Sequence, residues 1–249
     1  MEEIPKSHPR YVSLITRQKI MQAMKKGLVH ETGLIAHGRG ETFDYLIGEK
    51  TIQYANDAEK VAAAALLCAK NPVISVNGNV VALVGKECIK LAETHNIKLE
   101  VNLFHRTDER IEKLIKELKK QGAKKVYGSS ADARIPGLKH SRSICDKNGI
   151  YSADSVLVPL EDGDRCKALK AMGKLVIAID LNPISRTART ADITIVDNVI
   201  RAIPNIDKWI KKLKNKEIKT LNDMVKSWNN RKMLKDVSSL ISKRLNSLF

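Results

Sequence analysis

The sequence predicts an α/β fold in which helices cover both faces of a mostly parallel sheet. Short β-branched runs alternate with longer segments of helical periodicity over most of the 249 residues. This alternation is typical of parallel strands joined by crossover helices. We therefore expect a Rossmann-like sheet domain, preceded by an N-terminal helix and followed by a C-terminal helical extension.

The first predicted element is the N-terminal helix. Ser7 can cap it, Pro9 suits its first turn, and Gly27 ends it. A stretch rich in Gly, His and charge follows, with the sequence GLVHETGLIAHGRGETFDYLIGEKT. We interpret this stretch as loop. Asp57 then opens an Ala-rich helix over Ala58–Ala69.

The middle of the chain supplies the strands of the predicted sheet. They are Val73–Val76, Lys98–Val101, Lys124–Tyr127, Ser155–Val158, Leu175–Ile179 and Ile193–Val196. Helical patterns lie between several of them, at Val80–His95, Asp108–Gln121 and Asp164–Met172. The segment 128–149 is the least regular, and we expect it to form a functional or interface loop.

The C-terminal segment is both basic and amphipathic. Residues 208–249 contain twelve Lys and Arg against three acids, within a net charge of +16 for the chain. Apolar residues recur there at spacings of three and four, which predicts helices with lysine-rich solvent faces. We therefore expect a Rossmann-like domain over 1–206 and basic amphipathic helices over 207–249, packed on or beside it. Nucleic-acid binding is the alternative explanation of the positive charge. We expect no nucleic-acid partner.

Composition also bears on location and on the cysteines. No apolar run approaches the ~18 residues of a membrane span, and the N-terminus MEEIPKSHPR is too polar for a signal peptide. We expect a cytoplasmic protein without a membrane partner. The four cysteines are widely spaced and form no CxxC motif, which favours reduced thiols over disulfides or a zinc site.

The segment 176–202 carries the densest group of candidate binding residues. Its sequence is VIAIDLNPISRTARTADITIVDNVIRA, predicted as a strand, a polar loop, a second strand and a helix. The polar side chains of interest are Asp180, Asn182, Arg186, Arg189 and Asn198. Ligands of open parallel sheets bind outside the carboxyl ends of strands, so this mixture of acid, amide and guanidinium groups suits a nucleotide. A solvated surface loop is the alternative.

Polar groups follow other predicted strand ends as well. Asn77, Gly78 and Asn79 lead from the first strand into a helix, where backbone amides can bind an anion. His105 and Arg106 follow the second strand. Turn geometry and helix capping are the alternative explanations of these residues.

Two further groups lie elsewhere in the chain. Arg39 stands between glycines in HGRGE, where a guanidinium can contact phosphate, and we hypothesise a mobile loop at Gly38–Gly40 that closes over a ligand. Glu161, Asp162 and Asp164 offer oxygen ligands for Mg²⁺, although helix capping explains two of them. The chain lacks both GxGxxG and GxxxxGK[ST], so neither a dinucleotide fingerprint nor a P-loop is present.

Several long strings together resemble one known family. They are IPKSHPRY, GLIAHGRGETFDYLIGEKT, PVISVNGNVVALV, EVNLFHRT, ARIPGL, GIYSADSVLVPLEDGDR and VIAIDLNPISRTARTADITIVDNVIRAIPN. From about Ile4 to Ile206 the chain resembles the archaeal 4-phosphopantoate–β-alanine ligases, or phosphopantothenate synthetases. The resemblance implies a homodimeric cytoplasmic enzyme of coenzyme A biosynthesis. Such an enzyme joins 4-phosphopantoate and β-alanine into 4'-phosphopantothenate while ATP becomes AMP and pyrophosphate.

The resemblance also implies roles for particular residues. The ATP contacts carried over by motif are Arg17, Arg39, Asp180, Leu181, Asn182, Arg186, Thr187, Asn198 and Val199. For the substrate we expect His37, Asn77, Gly78, Asn79, Arg106 and Arg134. His105 is the expected general base for the amine of β-alanine. We expect Mg²⁺ to accompany ATP, with its ligands left open, and an acyl adenylate as the intermediate.

Three other functions compete with this interpretation. A non-catalytic nucleotide-binding regulatory module would bind ATP and release no AMP. A nucleic-acid binder would have few aromatic side chains on which to stack bases, because aromatic residues make up 4% of the chain. An NAD-dependent enzyme is disfavoured by the missing glycine fingerprint.

Overall fold

The computed structural model describes residues 4–159 and 162–247. These residues form ten α-helices and seven strands. The helices are α1 (Tyr11–Lys25), α2 (Glu31–Ile47), α3 (Gln53–Cys68), α4 (Gly78–His95), α5 (Asp108–Lys120), α6 (Gly163–Ala171), α7 (Arg186–Thr190), α8 (Val199–Leu213), α9 (Ile218–Lys226) and α10 (Asn230–Asn246). The strands are β1 (Pro72–Val76), β2 (Lys98–Val101), β3 (Ala133–Arg134), β4 (Ile144–Cys145), β5 (Ser155–Pro159), β6 (Leu175–Ile179) and β7 (Ile193–Ile195).

Five parallel strands form the central sheet, in the order β2-β1-β5-β6-β7. β3 and β4 pair separately as a short antiparallel ribbon. From β1 the chain moves one way to β2 and the other way through β5, β6 and β7. The direction therefore reverses between β1 and β5, and such a switch point leaves a crevice at the carboxyl ends of the two strands.

Both faces of the sheet are buried. Val156 and Val176 pack on one face in a cluster with Leu169 of α6, whereas their neighbours Leu157 and Ile177 point to the opposite face. That second face packs against α3, α4 and α8. Near-continuous apolar strands are what a sheet covered on both sides requires. The predicted α/β class with helices on both faces is confirmed.

The C-terminal helices pack on the sheet domain. α8 runs along α3 and α4, and α10 buries Leu234 and Val237 in a third cluster with Ile47 and Val196. The boundary at residue 206 stays a prediction. None of the described helices is long and apolar enough to span a membrane.

The predicted strand at Lys124–Tyr127 is wrong. This segment meets β2 through one isolated bridge, between Glu100 and Tyr127. Gly128 then turns the chain away with a φ of 120°, at a point where a Cβ atom would meet the carbonyl oxygen of Val101 at 2.4 Å. Pairing with β2 therefore ends after a single residue.

Helix boundaries near the N-terminus also differ from the prediction. α1 begins at Tyr11 after Arg10, and no side chain caps it, so Ser7 is not its cap. α3 begins at Gln53, one turn before the predicted opening at Asp57. The stretch interpreted as loop contains the 17-residue helix α2.

Candidate active site

A cavity of about 500 Å³ opens at the carboxyl end of the sheet. Residues that follow β1, β2, β5 and β6 line it, and α2 covers one side. The cavity therefore spans the switch point between β1 and β5, where open parallel sheets bind their ligands.

The cavity brings together residues from distant parts of the sequence. From the predicted ATP-binding set, the lining includes Arg39, Asp180, Leu181, Asn182 and Thr187. From the predicted substrate-binding and catalytic sets, it includes Asn77, Gly78, Asn79 and His105. The segments predicted from strand ends do meet at one edge of the sheet, while the role of each residue stays a prediction.

Helix α2 closes the cavity where the sequence suggested a mobile loop. Gly38 and Gly40 lie inside this helix, so the hypothesis of a mobile loop at Gly38–Gly40 is wrong. The amide of Asn79 donates to the carbonyl oxygen of Gly33 at 2.8 Å, which ties α2 to α4. Arg39 is thereby presented from a regular helix.

The turn after β1 depends on a glycine. Asn77 caps α4 by accepting a hydrogen bond from the backbone N–H of Val80 at 3.1 Å. A Cβ atom on Gly78 would lie 2.2 Å from the carbonyl oxygen of Leu28. The connection from α1 to α2 thus packs directly on the start of α4, and only glycine fits between them.

The turn after β6 holds a buried carboxylate. Asp180 accepts hydrogen bonds from the backbone N–H of Asn182 at 2.9 Å and from the hydroxyl of Ser185. Burial raises the pKa of Asp180, while both hydrogen bonds and the charge of Arg39 oppose that shift. The carboxylate is fixed in orientation by this loop.

Two imidazole rings stack at the end of β2. The ring centroids of His30 and His105 are 3.9 Å apart, with an angle of 15° between the planes. Phe104 packs edge-on against His105, and its side chain is largely exposed. Desolvation, with smaller contributions from His30 and Arg110, lowers the pKa of His105 below 6.5. The ring is therefore neutral at pH 7 and able to accept a proton.

Three guanidinium groups line the cavity: those of Arg39, Arg110 and Arg142. Arg142 lies 3.6 Å from the carboxylate of Asp162. Within residues 4–159 and 162–247, no carboxylate oxygen lies within 4.0 Å of Arg39 or Arg110. Cationic groups in a cavity without a carboxylate partner, as Arg39 and Arg110 are among the described residues, suit an anionic ligand.

Two predicted arginines are paired outside the cavity lining. Arg17 donates from Nε and Nη2 to the carboxylate of Glu41, at 2.9 and 2.7 Å. Arg186 pairs with Asp164. Both guanidinium groups remain partly exposed. To contact a ligand at the cavity rim, Arg17 would have to leave Glu41 and Arg186 would have to leave Asp164.

Asn198 and Val199 lie at the start of α8. The side-chain oxygen of Asn198 accepts from the N–H of Ile200 at 3.2 Å, and its Nδ2 donates to Asp44 at 2.8 Å. The side chain of Asn198 therefore caps α8 and ties the start of this helix to α2. Val199 is buried as the first residue of the helix.

Three predicted substrate contacts also lie outside the lining. The guanidinium of Arg106 is nearly buried and donates to the carbonyl oxygen of Gly128 at 3.1 Å. Arg134 is exposed on β3. His37 lies on α2, and its buried Nε2 has no hydrogen-bond partner among the described residues. Burial lowers the pKa of His37.

Sequence reasoning missed Arg110, Arg142 and Ser185. Arg110 lies in the first turn of α5, where the sequence gives no sign of whether a side chain points to solvent or inward. Arg142 lies in the irregular segment 128–149, from which the sequence analysis chose Arg134 instead. For Ser185, the one signal in the sequence was its position in the loop after β6.

The acids after β5 serve partly as helix caps. Asp162 accepts from the N–H groups of Asp164 and Arg165, both at 3.0 Å. Glu161 lies outside the described residues. In the part of the chain that the structure describes, no group of three His, Cys, Asp or Glu side chains could hold a metal ion. Among the described residues, the carboxylates that line the cavity are those of Asp162 and Asp180.

Comparison with known proteins points to one family. The family model described as phosphopantothenate/pantothenate synthetase matches residues 54–244. The 4-phosphopantoate–β-alanine ligase of Thermococcus onnurineus is 53% identical over 249 residues, covering 100% of this chain and 95% of the relative. The ligase of the same name from Methanosarcina mazei is 49% identical over 248 residues, covering 100% and 98%. That of Methanospirillum hungatei is 54% identical over 215 residues, covering 86% and 88%.

Proposed function

This chain belongs to the phosphopantothenate/pantothenate synthetase family, and we propose that it is a 4-phosphopantoate–β-alanine ligase of coenzyme A biosynthesis. It condenses 4-phosphopantoate with β-alanine to 4'-phosphopantothenate. ATP is the co-substrate and leaves as AMP and pyrophosphate. The names carried by its relatives support the reaction, and the cavity supports the chemistry.

The single observation that carries the proposal is one continuous cavity across four strand ends. It runs from the end of β2 to the end of β6, three strand spacings apart in the sheet. At about 4.8 Å per spacing this is about 14 Å. That length accommodates part of a nucleotide beside a second, smaller anionic substrate.

The nucleotide end of the cavity is the loop after β6. Asp180, with its fixed carboxylate, suits the ribose hydroxyls, and Arg39 suits the phosphates. Leu181, Asn182 and Thr187 lie beside them in the cavity lining. The remaining proposed ATP contacts are Arg17, Arg186, Asn198 and Val199, which lie outside that lining.

The phosphate of phosphopantoate is assigned to the start of α4. Backbone N–H groups at a helix N-terminus bind anions, and the helix dipole favours negative charge there. Asn77, Gly78 and Asn79 form this turn in the cavity lining. Arg106, His37 and Arg134 stay candidates for further contacts.

The chemistry requires an activated carboxylate. The carboxylate of phosphopantoate attacks the α-phosphorus of ATP in line, the bond to pyrophosphate breaks, and an acyl adenylate results. Arg39 stabilises the negative charge that develops on the α-phosphate. The amine of β-alanine then displaces AMP, and His105 takes the proton that the amine loses.

Water must be kept from the acyl adenylate, since hydrolysis would waste ATP. Helix α2 covers one side of the cavity, with Gly40 against Leu181 and Gly33 against Asn79. This regular helix takes the place of the loop expected from the sequence.

Mg²⁺ is proposed to accompany ATP. Magnesium in nucleotide sites is held by substrate phosphates and by one or two protein carboxylates. Among the described residues that line the cavity, Asp162 is the carboxylate not assigned to the ribose, so it is the residue that would hold the ion. When bound, Mg²⁺ neutralises phosphate charge.

We further propose that two copies associate. The family resemblance implies a homodimer, and Ile35 of α2, which is 70% exposed, is the apolar residue that we choose to test it. Light scattering should give twice the mass of the chain, and Ile35→Glu should reduce it to the mass of one chain. A wild-type protein of single-chain mass would contradict the dimer. The cytoplasmic location and the lack of nucleic-acid and membrane partners stay predictions.

The test of the function is AMP formation with one component omitted at a time. The complete mixture holds ATP, Mg²⁺, 4-phosphopantoate and β-alanine. The ligase should release AMP with the complete mixture, and the rate of AMP formation should fall to background without phosphopantoate. ATP binding without AMP release in any mixture would instead identify a nucleotide-binding regulatory module.

A further inference from the structure

Arg110 is a cavity guanidinium held in place by neutral groups. Its Nη1 donates to the carbonyl oxygen of His105, and its Nη2 donates to that of Leu28 at 3.3 Å. Within the described residues no carboxylate oxygen approaches it within 4.0 Å. The positive charge at this end of the cavity is therefore balanced by no described acid within ion-pair distance.

The guanidinium is also fixed before any ligand arrives. Thr107 caps α5 by accepting from the N–H of Arg110 at 3.2 Å, and the two carbonyl bonds hold the other end of the side chain. A pre-ordered donor group loses little conformational freedom on binding. Such rigidity is typical of residues that recognise a ligand.

The position of Arg110 separates it from the nucleotide. It follows β2, whereas Asp180 follows β6, and the ends of these two strands are about 14 Å apart across the sheet. The start of α4, assigned to the phosphate of phosphopantoate, lies between them because β1 lies next to β2. The carbonyl oxygen of Leu28 that accepts from Arg110 also packs on Gly78, so Arg110 lies beside the start of α4 and is available to an anionic substrate other than ATP.

The imidazole rings beside Arg110 suit the amine of an amino acid whose carboxylate binds to Arg110. His105 shares its backbone carbonyl with Arg110 and stacks on His30. Nδ1 of His30 accepts from the N–H of Thr32 at 3.3 Å, which fixes His30 and thereby the face of His105 that packs on it. An amino acid bound at Arg110 by its carboxylate brings its amine next to His105.

We propose that Arg110 binds the carboxylate of β-alanine and so selects an amino acid, rather than a simple amine, as the second substrate. This inference rests on the proposed ligase function. A carboxylate and a phosphate offer the same anionic oxygens to a guanidinium, so the phosphate of phosphopantoate is the competing ligand. The experiment below separates the two.

The first assay is phosphopantoate-dependent exchange of pyrophosphate into ATP without β-alanine. The second is complete ligation at varied β-alanine. In Arg110→Gln, which removes the charge and keeps a polar amide, the exchange rate and the KM for phosphopantoate should stay within about twofold of wild type. The KM for β-alanine should rise about tenfold to 100-fold, the effect of one charge-assisted hydrogen bond.

Selectivity gives a readout that a structural role would not move. Wild type should use β-alanine far better than β-alaninamide, which lacks the carboxylate, and Arg110→Gln should lose most of that preference. Arg110→Lys keeps the charge and should recover part of the affinity. Lys113→Ala, on the same helix and paired with Glu109 at the surface, is the matched control and should behave as wild type.

Three results would overturn the proposal. Loss of exchange with a raised KM for phosphopantoate would assign Arg110 to the phosphate. Unchanged kinetics in Arg110→Gln would leave it no role in substrate recognition. A folded wild-type protein with neither exchange nor ligation would overturn the proposed function itself, and this inference with it.

Discussion

Glu59 is a carboxylic acid enclosed inside the protein, on α3. Its side chain is fully buried, and its Oε1 accepts a hydrogen bond from the amide of Asn205 at 3.4 Å. Burial, and then the charge of Asp197, raise the pKa of Glu59 far above its ordinary value. The folded protein therefore carries Glu59 in its neutral form at pH 7.

This protonation makes stability depend on pH. Between pH 5 and pH 8 the folded state holds a proton on Glu59 that the unfolded chain has lost, so raising the pH destabilises the fold. The slope for one proton is at most about 1.4 kcal/mol per pH unit. Glu59→Gln removes this titration, so urea unfolding should show the variant gaining stability relative to wild type as the pH rises. A difference between the two proteins that does not change with pH would mean that Glu59 is ionised when folded.

Individual site residues could be predicted where they directly follow a strand of the sheet. Asp180, Asn182 and the residues after β1 follow strands, and strand ends meet at one edge of a parallel sheet. Arg110 was not predictable, because its direction is set by carbonyl groups of Leu28 and His105. The contact with Leu28 exists only once the α1–α2 connection has packed beside the start of α5.

At the scale of elements, two glycines in and beside the cavity predict opposite mutational effects. A Cβ on Gly78 would meet the carbonyl oxygen of Leu28 at 2.2 Å, whereas nothing lies within 4 Å of one on Gly38 in the middle of α2. Gly78→Ala should cost about 1–3 kcal/mol or more. Gly38→Ala should stabilise by about 0.5–1 kcal/mol, because glycine is unfavourable inside a helix.

Urea unfolding of the two glycine variants measures both effects. Equal stability changes would contradict the close contact between α4 and the connection before α2. A destabilised Gly38→Ala would show that another surface covers this side of α2.

Two leucines of helix α10 form a second matched pair of substitutions for a stability test. Leu234 is 7% exposed and packs with Ile47 and Val196, while Leu245 on the same helix is 42% exposed. Leu234→Ala should cost about 2–5 kcal/mol, and Leu245→Ala less than about 0.5 kcal/mol. Similar losses in chemical denaturation would mean that α10 does not pack on the domain in this way.

Helix α2 shows why one element escaped the sequence. Its glycines and histidines are poor helix formers, and local propensity favoured a loop. Gly33 is needed where α2 approaches Asn79, because a Cβ atom there would lie 2.4 Å from the side-chain oxygen of Asn79. Tertiary packing thus outweighs the propensity of residues chosen for close approach.

At the scale of the whole molecule, the alternation of strands and helices was enough to predict the class of fold. Buried apolar runs and helical periodicity specify a parallel sheet covered on both faces. The strand order β2-β1-β5-β6-β7 was not specified, because it depends on which crossovers pass each face. Once that order is known, the switch point and the cavity follow from it.

The central claim is that this cavity activates the carboxylate of phosphopantoate as an acyl adenylate. Transfer of ¹⁸O from that carboxylate to AMP tests this claim. Phosphopantoate labelled with ¹⁸O in its carboxylate would be turned over with ATP and β-alanine, and the products analysed by mass spectrometry. Attack of the carboxylate on the α-phosphorus predicts one ¹⁸O atom in each AMP. Unlabelled AMP, or ¹⁸O recovered in inorganic phosphate with ADP as the second product, would contradict the acyl adenylate.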